Sequence, residues 1–254
     1  MTGSDASPSF RLAYVPGVTP TKWVRIWNER LPDVPLTLVQ VPAADAAGML
    51  RAGDVDAGLV RLPIDRADLS AIPLYTEATV VVIPKDHLVA AVDEVSAEDL
   101  ADDVVLHPLD DTLGWERPPG LEAMERPATT ADAVELVAAG IGLLVVPQSL
   151  ARLHHRKDLT YRTVTDVPQS RVALSWPEDR TTDLVEHFIG IVRGRTVNST
   201  RGPQAPARSS GERPDKSGAA RRKPAGAGRP AAKSPRGGSG APKGGKRGKP
   251  RRRS

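Results

Sequence analysis

The sequence predicts an α/β body followed by a disordered basic tail, on three observations. Strand-like and helix-like segments alternate from Phe10 to Arg195, the order that builds an α/β fold with a largely parallel sheet. From Arg201 to Ser254 there is no Val, Ile, Leu, Met, Phe, Trp or Tyr, so nothing there can be buried to offset the entropy of ordering. Charge divides at the same place. Residues 201–254 hold 17 Lys+Arg and 2 Asp+Glu, a net of +15, whereas residues 1–200 hold 18 and 29, a net of −11. The overall +4 of the 254-residue chain hides this contrast. An acidic body attracts phosphates poorly, so any affinity for nucleic acid belongs to the tail.

Each element has a local reason. Phe10–Val15 reads as a strand stopped by Pro16-Gly17. Thr19 or Thr21 can cap a helix to Arg30 with Trp23, Ile26 and Trp27 on one face. Leu36–Val41 alternates as a strand; Ala44–Arg51 is a short helix closed by Gly53; Val55–Leu62 is a third strand. Leu69–Leu74 and Ala78–Pro84 follow, the second apolar throughout, as a strand buried on both faces must be. Ser96-Ala97-Glu98-Asp99 opens a short helix with a capping-box pattern, and Val104–His107 is a strand. Residues 108–127, with four prolines and two glycines, read as a loop. Thr129 or Thr130 caps a helix over Ala131–Ala139, Ile141–Val146 is a strand, and Pro147 starts a helix to His155. Leu159–Val164 and Arg171–Trp176 are the last strands, before an amphipathic helix over Thr182–Arg195.

Several stretches in this order resemble the effector-binding domain of LysR-type transcriptional regulators, a variant of the type 2 periplasmic-binding-protein fold. They are Leu31–Leu36, Leu50-Arg51-Ala52-Gly53-Asp54-Val55-Asp56-Ala57-Gly58-Leu59-Val60, Val80–His87, Ser96–Leu100, and the strongest, Val137-Ala138-Ala139-Gly140-Ile141-Gly142-Leu143-Leu144-Val145-Val146-Pro147-Gln148-Ser149. The resemblance implies two lobes joined by two hinge crossovers: lobe I over about 10–84 and 169–197, and lobe II over about 85–168. Residues 1–9 and 198–254 are expected to be disordered. It also implies an effector in the interlobe cleft and a homodimer. The family's N-terminal winged helix-turn-helix has no counterpart before Phe10, so the usual DNA reader is expected to be missing. Residues 108–127 are shorter and richer in proline than the family's helix-containing segment.

In α/β sheets ligands sit outside the carboxyl ends of strands, facing helix N-termini. That places Val18, Thr19, Thr21 and Lys22 at one wall of the expected cleft and Thr129 and Thr130 at the other, with Arg61 as the cation for a bidentate carboxylate contact. The expected effector is a small molecule, a carboxylate or other small anion. Each residue has a plainer reading beside this one. The threonines also serve as ordinary caps, Lys22 as a surface lysine, and Arg61 as a partner of Asp65 or Asp56. Trp23 and Trp27 read as core, and His107 as framework; the adjacent His154 and His155 lack metal-ligand spacing.

The chain has no cysteine, hence no disulfide, thiolate nucleophile or Cys-ligated metal. No hydrolase, metalloprotease or nucleotide-binding motif is present, so no catalytic site, metal or cofactor is expected. The first residues lack a secretory pattern and no apolar run approaches a membrane span, which makes the cytoplasm the expected location. In the tail, Arg221, Arg222, Lys223, Lys246, Arg247, Arg251, Arg252 and Arg253 form clusters that either contact DNA or RNA through counterion release or serve a solubilising extension. Two other functions share these features: a solute-binding protein serving a transporter, and a nucleic-acid-associated accessory protein with the body as a dimerising scaffold.

Overall fold

The computed structural model describes residues 8–195. The expected disordered ends therefore lie outside the described residues, apart from Pro8 and Ser9, as do the tail clusters from Arg221 to Arg253.

The chain begins in a sheet built on the buried strand β1 (Phe10–Tyr14). Helix α1 (Thr21–Arg30) follows and leads to β2 (Leu36–Gln40), parallel to β1. α1 docks through Trp27, fully buried, stacked on Phe10 at 4.7 Å between ring centroids, its indole N–H donating to the Val34 carbonyl at 2.9 Å. Satisfying that N–H is what lets a tryptophan sit in the core. Neither Thr19 nor Thr21 caps α1. Pro20 holds the N-cap position and no side chain bonds the first turn, because proline's fixed φ starts the helix without a hydroxyl.

Helix α2 (Ala46–Ala52) ends at Gly53 in the left-handed region, φ 79°. Its last carbonyls, Leu50 and Arg51, accept from Arg180 at 3.2 and 2.7 Å. β3 (Ala57–Leu62) lies parallel to β1, and β4 (Leu69–Glu77) runs past the expected Leu74.

The chain then enters a second sheet. β5 (Thr79–Pro84) lies in its middle, antiparallel to β9 (Leu143–Pro147) and β10 (Leu159–Val164). Its side chains alternate between two cores. Val80 and Val82 pack on one face with helices α3 (Thr130–Ala138) and α4 (Gln148–Leu153), and Val81 and Ile83 on the other with Leu100, Val105 and Leu113. Strands β6 (Glu94–Val95), β7 (Val104–Leu106) and β8 (Leu121–Glu122) complete the order β6-β10-β5-β9-β7-β8. Ser96 and Asp99 bond reciprocally as their pattern predicts, but what they close is a single 3₁₀ turn over Glu98–Leu100.

The chain returns at β11 (Ser170–Pro177), between β3 and β4, so that the first sheet runs β2-β1-β3-β11-β4. Helix α5 (Asp183–Val192), capped by Thr182 accepting from the Val185 N–H, packs Val185, Phe188, Ile189 and Ile191 onto it.

Two expectations change. The sheets are mixed rather than largely parallel, because the strands through which the chain leaves and re-enters each half pair antiparallel to their neighbours. The border between the halves falls at Ala78 and not at Pro84, since β5 bonds only strands of the second sheet. The return crossing spans 165–169, where the Thr79 hydroxyl donates to the Pro168 carbonyl at 2.6 Å.

Candidate ligand-binding site

A cavity of about 450 Å³ is lined from the first half by Pro16, Gln40, Val41, Pro42, Ala43 and Arg61. The second half contributes Asp110, Thr112, Thr129, Thr130, Ala131, Leu150, Leu153 and His154. Its volume suits a small organic molecule. A neighbouring cavity of about 380 Å³ shares Pro16, Gln40 and Leu153 with it and adds Tyr14, Gly17, Val18, Thr19, Ser149 and Arg152.

The expected site residues are divided between these spaces. Arg61, Thr129 and Thr130 come together in the larger cavity, and Val18 and Thr19 line the smaller. Val18 is largely buried in the first core and donates its N–H to the Val15 carbonyl at 3.2 Å. Thr21 and Lys22 are exposed on the first turn of α1 and line neither cavity, because Pro20 places the start of that helix beyond the rim. The single gap expected between Thr19 and Thr129 is thus two adjoining spaces.

Both threonines at the start of α3 have engaged hydroxyls. Thr129 forms a full capping box with Asp132, and Thr130, buried, donates to Asp110 Oδ1 at 2.9 Å. What the helix start offers a ligand is backbone: the first N–H groups of a helix have no acceptor within it, and Thr130 and Ala131 stand at the wall.

Arg61 is 6% exposed and pairs with neither Asp65 nor Asp56. Asp65 is held by Arg51 at 3.0 Å and Asp56 accepts the Arg11 backbone N–H at 2.6 Å. Instead, Arg61 Nη1 donates to Glu77 Oε2 at 2.8 Å and Ser170 Oγ at 2.7 Å. Nη2 donates to the Pro16 carbonyl at 3.1 Å and Ser149 Oγ at 3.0 Å. Burial of a guanidinium demands such a shell. One donor is left over. Arg61 Nε and Thr112 Oγ1 are the buried side-chain polar atoms without a partner among the described residues, and both residues line the larger cavity. Nearby, burial pushes the Tyr75 phenol above its ordinary value; the Glu77 charge adds to this and Arg61 opposes it.

Glu77, Ser149 and Ser170 were not legible as site residues. Only Ser149 carried a signal, at the end of the Val137–Ser149 motif. The His107 backbone carbonyl accepts from Arg126 Nε at 2.8 Å. Among the described residues no helix is long and apolar enough to cross a membrane.

Residues 4–196 match the family model of the LysR substrate binding domain. The chain belongs to that family. As a LysR-type effector-binding domain it is 26% identical over 184 residues to the HTH-type transcriptional regulator AlsR of Bacillus subtilis, covering 66% of this chain and 59% of the relative. It is 35% identical over 144 residues to a probable hydrogen peroxide-inducible genes activator of Mycobacterium avium, covering 53% of this chain and 46% of the relative. The LysR-type domain thus spans about half the length of the curated relatives it matches. Its fold matches the BenM effector binding domain with its effector benzoate (TM-score 0.62, 18% identity, 75% of this chain and 92% of that one). It also matches the reduced form of OxyR (TM-score 0.62, 20% identity, 76% and 98%).

Proposed function

We propose that this domain is the ligand-sensing part of a transcriptional regulator, and that its effector lies in the cavity shared by Arg61 and the start of α3. The observation that carries the reading is that Arg61 and Thr112, each holding a buried polar atom without a partner, both line one largely apolar cavity between the two halves. A ligand supplying an acceptor would satisfy groups whose burial is otherwise a cost. Arg61 is already matched by Glu77, and Asp110 stands at the opposite wall, so the cavity holds no excess positive charge. A single carboxylate on an apolar body therefore fits better than a polyanion. Val41, Pro42, Ala43, Leu150 and Leu153 supply the apolar lining. The family's relatives are regulators, which supports a non-enzymatic role, a cytoplasmic setting and pairing into homodimers. The basic tail, on its charge alone, adds contact with DNA or RNA.

The test is a thermal-shift screen of the full chain against small monocarboxylates, with benzoate included. A ligand at about a hundred times its Kd adds about 2.7 kcal/mol of apparent stability. Ala131→Trp, on an exposed wall residue, should fill the cavity and abolish the shift. No shift from any member of the panel, or an unchanged shift in Ala131→Trp, overturns the reading.

A further inference from the structure

We infer that Ser149 is a latch, fastening the second half of the molecule to a buried Arg61–Glu77 pair that sits where the chain changes halves. Among the described residues this is the most deeply buried ion pair, with side chains 4% and 9% exposed. Its position is set by topology. Glu77 is the last residue of β4, one before the outgoing crossing, and Ser170 is the first residue of β11 after the return. Arg61 Nη1 bonds both. Arg61 Nη2 bonds the Pro16 carbonyl and the Ser149 hydroxyl, and that hydroxyl donates onward to Glu77 Oε2 at 2.8 Å. Of the five groups so joined, Ser149 alone belongs to the second half, on α4. A serine hydroxyl can accept one bond and donate another, and this one does both across the divide.

The fit around the latch is tight. Gly17 has φ 84°, and a Cβ placed on it would lie 2.5 Å from Ser149 Oγ and 3.0 Å from Arg61 Nη2. Backbone alone backs the bond. Arg61 lines the larger cavity and Ser149 the smaller, so the latch also stands where the two spaces meet. Without it the ion pair keeps Ser170 and Pro16, and the first half retains its own network. What is lost is a side-chain tie between the halves, while the Gln148 N–H still donates to the Ala78 carbonyl at 2.9 Å. A bond of this kind sets how far two bodies joined by short crossings can move apart.

Hydrogen exchange on the full chain, without any ligand, tests the idea. Ser149→Ala should raise exchange by about threefold or more in peptides covering both crossings, 75–80 and 164–170. Thr129→Ala, which removes a cap in the same half but no latch contact, should act most strongly on α3 and less at the crossings. Exchange that rises only within α4 in Ser149→Ala, or that rises equally at the crossings in Thr129→Ala, overturns the latch. Should Ser149→Ala fail to fold, Gly17→Ala keeps every polar group and displaces Ser149 from the other side. It should reproduce the rise at both crossings, and unchanged crossings there sink the proposal. Since no ligand is used, an empty effector screen leaves this result standing, and the converse holds.

Discussion

At the scale of single residues, burial separates what was legible from what was not. Trp27 announced itself through its spacing from Trp23 and Ile26 on one helix face, and the core holds it against Phe10 and Phe188. Trp27→Ala should cost about 3–5 kcal/mol, read by chemical denaturation. Arg61 was legible as a cation at a strand end, but its partner was not. Nearby sequence offers Asp56 and Asp65, whereas Glu77 arrives only when β4 is laid beside β11 and Ser149 only when the second half folds back. Glu77→Ala, which leaves a buried guanidinium without its counter-charge, should cost about 3–5 kcal/mol. Tyr75 reports on the same network. Its phenol is favoured in the neutral form by burial and by Glu77, so its folded value lies above its unfolded one. The associated stability is complete below the unfolded tyrosine range and is lost as pH climbs through the raised value. Absorbance titration of phenolate, with Tyr75→Phe as the blank, should place Tyr75 above the ordinary value, and Glu77→Gln should bring it down.

At the scale of elements, caps and periods were read well where they are purely local. The capping box at α3 needs only Thr129 and Asp132, three residues apart, and it forms; Thr129→Ala should lower stability by about 1 kcal/mol. The closing glycine of α2 was also visible, since Gly53 takes the left-handed conformation. Its second function was hidden, because the group that would collide with a Cβ there is the Arg180 guanidinium, from after β11. Gly53→Ala therefore meets both backbone strain and that side chain, and a loss of about 1–2 kcal/mol is expected in thermal unfolding. The start of α1 misled for the opposite reason. Thr19 and Thr21 have the right chemistry, but Pro20 between them sets the backbone and leaves both hydroxyls unused by the helix.

At the scale of the whole molecule, the order of motifs gave the family and the two-part plan, because alternation and glycine-bounded strands survive as sequence patterns. Pairing direction and the exact border do not, since β5 reads the same whichever sheet receives it. The tail was legible only as composition, and its proposed contact with nucleic acid is tested by comparing DNA retention of the full chain with one ending at Thr200. Retention should vanish in the shorter chain at low salt. In the full chain it should weaken about a thousandfold between 50 and 200 mM salt if six or more phosphates are engaged. The crossings carry a last consequence. Glu77 and Ser170 stand opposite each other in the β4–β11 ladder, so everything from 78 to 169 is spliced in at a point that could be sealed. Replacing that stretch by a two-residue Asn-Gly turn would make β4 and β11 an ordinary hairpin. The excised remnant should fold around Phe10, Trp27, Leu59, Leu174 and Phe188 as a miniature protein in its own right.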